Sequence, residues 1–138
     1  MKTHPFLRAY MAGITVPTVF LLLGVTGFTI ARYVYDVPVP IERVIMFPMA
    51  LVPNLWGVWN MLYVGIGPAT HNRRWSIGAH GALLPLVLIP LGLMMARLLA
   101  FDVITPHLAL IVAPLGMALY YLMWKYFVGY FNAVLGIA

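Results

Sequence analysis

The chain has 138 residues, of which 64% are hydrophobic and 8% charged, with 8 Lys and Arg against 3 Asp and Glu and a net charge of +5. So few charges cannot clothe a water-facing surface, which excludes an ordinary soluble domain and makes a lipid bilayer the expected solvent. The basic residues are scattered instead of clustered, which argues against a nucleic-acid face, and the absence of cysteine removes disulfides and thiolate metal sites.

In chain order, a short basic start, Met1 to Arg8, precedes a first apolar span over about Tyr10 to Ala31. This stretch lacks a small-residue cleavage site and is longer than the roughly 7 to 15 apolar residues of a signal peptide, so it reads as a retained transmembrane helix. A polar joint, Arg32 to Arg43, leads to a second span over about Val44 to Gly65, and a loop with His71-Asn72-Arg73-Arg74 follows. The third span covers about Ile77 to Leu99. A joint with Asp102 and Thr105-Pro106 opens the fourth, about Pro106 to Trp124, and an aromatic tail over residues 125–138 prolongs it along the interface. Each span is near the ~20 residues needed to cross ~30 Å of hydrocarbon.

Lys2, Arg8, Arg73, Arg74 and Lys125 fall on one side of such a bundle. Arg32, Arg43 and Arg97 fall on the other, together with the acids Asp36, Glu42 and Asp102. The excess of basic residues puts both termini in the cytoplasm, and the short loops fit a bacterial inner membrane. Trp59, Trp75 and Trp124, with Tyr63, Tyr126 and Tyr130, are placed as an aromatic belt at the cytoplasmic boundary.

The second half resembles the first. The segment from Gly27 to Ala31-Arg32 matches Gly92 to Ala96-Arg97, and Tyr35-Asp36-Val37 with Pro40 matches Phe101-Asp102-Val103 with Pro106. Pro48 then falls on Pro114, Trp59 on Trp124 and Pro17 on Pro85. The expected fold is therefore all-α: a single transmembrane domain, an integral membrane four-helix bundle of two tandem, parallel-repeat hairpins over about 10–65 and 78–129, with proline-kinked helices.

The paired positions supply the candidate sites. Gly27 and Ala31, like Gly92 and Ala96, put small residues four apart on one helix face, suited to close packing within the bundle or between copies. Pro48 and Pro114 lie inside their helices and release the carbonyls near Val44 and Leu110. The pairs Arg32–Asp36 and Arg97–Asp102 recur at the outer boundary. Asn54 is the deepest strongly polar side chain of the second span; the repeat sets Tyr120 opposite it, and Trp56 lies at similar depth. Asn60 and Lys125 come at the inner edge. No metal site is expected and no cofactor: a haem held through His80 would need a second ring at the same depth, and His107 belongs at the other end of the bundle.

No carboxylate occupies the middle of a span, which argues against an enzyme and against coupling to protons. The leading expectation is a non-catalytic accessory or scaffold subunit that assembles in the bilayer as a homo-oligomer or within a larger membrane complex. The alternative is a small oligomeric transporter or channel for a neutral or lipidic substrate, with a site near Pro48, Asn54, Pro114 and Tyr120.

Overall fold

The computed structural model describes residues 4–66, 75–98 and 106–137; the regular structure among them is helix, with no strand. Helix is the outcome that lipid enforces, because a backbone without water must satisfy its own N–H and C=O groups within the segment. Helix α1 runs Pro5–Val34, α2 Ile41–Val44, and α3 Ala50–Ile66 after a π-helical turn at Ile45–Met49. Helices α4 (Ile77–Ala82) and α5 (Leu84–Leu98) adjoin at Leu83. Helix α6 (Pro106–Met123) passes through a second π turn, Trp124–Val128, into α7 (Gly129–Val134).

Among the described residues, three helices are long and apolar enough to cross a membrane: Pro5–Val34, Ile77–Leu98 and Leu110–Val134, with mean hydropathies of 2.0, 1.9 and 1.3. The threonines of the first are satisfied locally. In α1 the hydroxyls of Thr15, Thr18, Thr26 and Thr29 each donate to the carbonyl four residues back, at 2.6–2.9 Å, so none needs a partner helix. The second span expected from sequence is the exception in continuity. Pro48 has no N–H to give the Val44 carbonyl, and the π turn, in which the donor lies five residues on, accommodates that loss. Around Pro114 the backbone stays α-helical; the second π turn comes later, where the Gly129 N–H reaches the Trp124 carbonyl.

Burial is concentrated at one end of the molecule, the end that holds both chain termini. Helix α1 buries residues only between Ala9 and Pro17, α3 only between Trp56 and Asn60, α4 and α5 only between Gly78 and Pro85, and the last helix only between Trp124 and Asn132. Val16, Trp56, Leu84, Trp124 and Val128 form the core there. Glycine makes the approach possible. A Cβ at Gly13 would stand 2.6 Å from the Trp56 carbonyl oxygen, one at Gly78 would stand 2.9 Å from the Tyr121 ring, and one at Gly81 would overlap the Trp124 ring. Helix α1 thus packs chiefly on α3, and α4 on α6.

The opposite end is largely open, although Ile41 of α2 is buried there. A Cβ built on Gly24, Gly27 or Gly116 meets nothing within 4 Å, and Leu110, Ile111 and Leu115 are each more than 70% exposed. At this end α1 stops with Asp36 in the left-handed region, φ 55°, which Asp tolerates better than most side chains. The Val37 N–H then returns to the Ala31 carbonyl at 3.0 Å.

Candidate functional site

Two polar groupings stand out in an otherwise apolar chain, and each is built by residues that meet across helices. The first ties the terminal end together. Asn60 of α3 and Asn132 of α7, both fully buried, exchange amide hydrogen bonds: Asn60 Nδ2 donates to Asn132 Oδ1 at 2.8 Å, and Asn132 Nδ2 donates to Asn60 Oδ1 at 3.1 Å. Asn60 Nδ2 also donates to the Ala9 carbonyl of α1 at 2.8 Å. Nearby, Trp59 Nε1 donates to the His80 carbonyl at 2.9 Å while His80 Nε2 lies 3.0 Å from the Trp59 carbonyl. This reciprocal clasp joins α3 to α4. The His80 ring stacks on Trp59 and also contacts the rings of Tyr63 and Trp124. Arg8 Nη1 donates to the Leu135 carbonyl at 3.3 Å and anchors the end of α7 to α1.

Sequence reasoning put Trp59 and Trp124 in an interfacial belt and Asn60 at the inner edge. The structure gives them internal roles: Trp124 is fully buried, Trp59 serves the clasp, and Asn60 is the centre of the amide network. Trp75, Tyr126 and Tyr130 are 60–63% exposed, as belt residues are. The indole N–H groups of Trp56 and Trp124 are buried and have no hydrogen-bond partner among the described residues. That is costly in a dry interior, and around these two indoles the packing is by shape, beside the polar contacts of Asn60, Asn132, Trp59 and His80.

The second grouping lies between α1 and α3. The Tyr10 hydroxyl donates to Asn54 Oδ1, and Asn54 Nδ2 donates to the Ala50 carbonyl at 2.7 Å. These two side chains border a cleft of about 230 Å³ lined by Tyr10, Ile14, Thr18, Leu21, Leu22, Met49, Pro53 and Asn54. The α1 residues form one stripe at helical spacing. The α3 wall is where the chain leaves the π turn and meets Pro53.

The candidate residues therefore do not converge on one point. Asn54 meets Tyr10, whereas Tyr120 packs against Trp56 with ring centroids 5.0 Å apart. Trp56, 4% exposed, belongs to the core and not to the cleft. Pro48, of which the backbone alone is described, sits in the π turn, and Pro114 is exposed on α6. Of the small residues, Gly27 is exposed and Ala31, Gly92 and Ala96 are half-buried. Close packing within the chain is done by Gly13, Gly57, Gly78 and Gly81 instead. Arg32 pairs with Glu42, its Nη1 lying 2.9 and 3.0 Å from the two carboxylate oxygens, and not with Asp36 as the four-residue spacing suggested. Arg97 is exposed near the end of α5, and Asp102 lies outside the described residues.

Backbone geometry explains the Arg32 outcome. The left-handed turn at Asp36 ends the helix, and the chain folds back so that Glu42, in the first turn of α2, comes under the guanidinium. The backbone hydrogen bond at Glu42 and the adjacent Arg32 hold its carboxyl below the usual carboxylate range. Lys125 Nζ lies 5.2 Å from the centroid of the Tyr126 ring and 5.8 Å from that of Tyr121, at cation–π range. No three of His, Asp and Glu gather among the described residues. His107 opens α6, at the far end of that helix from Tyr121 and Trp124, against which α4 carries His80.

These features define an all-helical protein with three membrane-capable helices, consistent with a small membrane protein. No protein-family model, curated protein or solved structure matches the chain.

Proposed function

We propose that this chain is a non-catalytic scaffold or accessory subunit of a membrane assembly, either a homo-oligomer or a larger complex. The observation that carries the reading is the asymmetry of burial. The terminal end is closed by glycine–tryptophan packing and polar clasps, while the other halves of the helices present Gly24, Gly27 and Gly116 with empty space beside them. Helices in lipid associate through close van der Waals contact at small residues, so such faces are suited to a second chain. Gly27 and Ala31, with Gly92 and Ala96, are the residues proposed for that seam.

The same reading keeps the four-helix bundle of two tandem hairpins. Two facts support it: the close contact of Gly13 with Trp56 recurs 65 positions later as Gly78 with Tyr121, and the α1–α3 pair has its counterpart in α4–α6. The proposed orientation, termini inward across a bacterial inner membrane, follows from the distribution of Lys and Arg. Native mass of the protein extracted into lipid nanodiscs tests the assembly. A defined oligomer or a stable complex with a larger protein is the expected result; a monomer in a native-lipid disc overturns it.

The cleft at Asn54 favours a second reading, an oligomeric carrier or channel for a neutral or lipidic substrate. Flux of such a solute in vesicles, abolished by Asn54→Leu, is its test.

A further inference from the structure

The chemistry of the α1–α3 cleft specifies what could fill it. Its volume, about 230 Å³, is several times the ~30 Å³ of one water and below the ~300 to 1,000 Å³ of sites for drug-sized ligands. One apolar chain or a small ring is the right size. Most of the wall is hydrocarbon, with the soft side chain of Met49 at the α3 side. No charged side chain lines it, so an anionic or cationic head would be desolvated without compensation.

The polar atoms narrow the choice further. The Thr18 hydroxyl is spent on the Ile14 carbonyl. Asn54 accepts from Tyr10 and gives one amide hydrogen to Ala50; its amide carries two, so one donor is left over. Asn54 is exposed and lies midway along the helical stretch 41–66, roughly 18 Å from either end at 1.5 Å per residue. With 41–66 crossing the bilayer as the second span of the proposed four-helix bundle, no water is present at that depth to take the hydrogen. A spare neutral donor beside an apolar cleft calls for an acceptor oxygen on an apolar chain.

We propose that this cleft is a binding site for one chain of a neutral, membrane-dissolved amphiphile, whose carbonyl or hydroxyl oxygen accepts the free Asn54 amide hydrogen. The oxygen belongs to a neutral lipid dissolved in the hydrocarbon, because the ester of a bilayer phospholipid stays near the interface, roughly 18 Å away along the helix. The inference rests on the four-span bundle but not on its assembly with a second chain: bound lipid and native mass are separate readouts, and either can fail alone.

The test uses the full chain in nanodiscs of phosphatidylethanolamine and phosphatidylglycerol, titrated with decylubiquinone, which carries carbonyls, and in parallel with dodecane, which has none. Binding is followed as the rise in thermal midpoint by circular dichroism. Decylubiquinone should raise the midpoint of the parent protein. Asn54→Leu should weaken it by about five- to tenfold, the worth of one neutral hydrogen bond, and leave dodecane unaffected. Thr18→Phe should fill the cleft and abolish both, while Leu23→Phe, outside the cleft and 64% exposed, should change neither. A folded Thr18→Phe variant that still binds decylubiquinone overturns the proposal, as does an Asn54→Leu variant with parental affinity. Mass spectrometry of lipid extracted from the purified protein completes the test: a neutral lipid displaced by decylubiquinone supports the site, and a retained phospholipid that decylubiquinone does not displace overturns it.

Discussion

Among single residues, the asparagines carry the largest consequence relative to their number. The Asn60–Asn132 pair is fully buried, reciprocal, and also holds the Ala9 carbonyl, so truncating one partner strands the polar atoms of the other. Asn132→Ala should therefore cost about 1 to 3 kcal/mol, the penalty of an unsatisfied buried group. Replacing both by Leu should recover part of that loss, because no polar atom is then left alone. Unfolding in mixed detergent micelles, read by tryptophan fluorescence, measures both. The ion pair at the open end gives a pH signature of known sign. The Glu42 carboxyl is held low by its backbone hydrogen bond and by Arg32; its contribution is thus complete above the ordinary carboxylate range and is lost as pH falls through the lowered value. Arg32→Ala should shift the Glu42 titration, followed by carbon NMR of labelled glutamate, upward toward the ordinary value. A titration that does not move would show that Arg32 has no hold on Glu42.

At the scale of helices, the close approaches separate glycines that bear on packing from those that do not. Gly13 faces backbone atoms of Trp56 and Gly57 under 3 Å from where its Cβ would stand, and backbone cannot swing aside. Gly13→Ala should destabilise the α1–α3 pair by about 1 to 3 kcal/mol, as overpacking does. Gly27→Ala should stay within about 0.5 kcal/mol in the isolated chain, because it has open space. The same micelle unfolding compares them. Sequence alone made helix evident everywhere, since apolar runs of this length leave lipid-spanning helix as the stable option. It also marked Asn54 as a deep polar group. It did not reveal the partners. Which face of α1 meets α3 is set by where Gly13 and Gly57 permit contact, and in a segment apolar all round no periodicity marks that face. The pairing of Arg32 was missed for a related reason: four-residue spacing assumes continuing helix, and the left-handed Asp36 breaks it. The π turn at Trp124–Val128 has no proline within it to announce it, and its buried Trp124 fits against Gly81, a contact between residues far apart in sequence.

For the whole molecule, the gradient of burial implies two mechanical regimes. The terminal end is cross-linked by the Asn60–Asn132 amides, the Trp59–His80 clasp and the Arg8–Leu135 contact; helices held by several buried contacts open only at high free-energy cost. The other end has exposed side chains and few such ties, so helix separation there is free to respond to whatever packs against Gly24, Gly27 and Gly116. Spin labels at Ile30 and Val112, both exposed at the open end, should therefore report a broad distance distribution in dilute nanodiscs, whereas labels at Phe6 and Tyr126, exposed at the terminal end, should report a narrow one. Raising the protein-to-lipid ratio should narrow the first distribution and leave the second unchanged if a second copy completes the bundle. Gly27→Leu should block that narrowing without altering the micelle stability of the single chain, because Gly27 is exposed and a Cβ there meets nothing within 4 Å. Narrow distributions at both ends in the dilute protein would mean that lipid alone fixes the open halves, and the case for a second chain at Gly27 would fall.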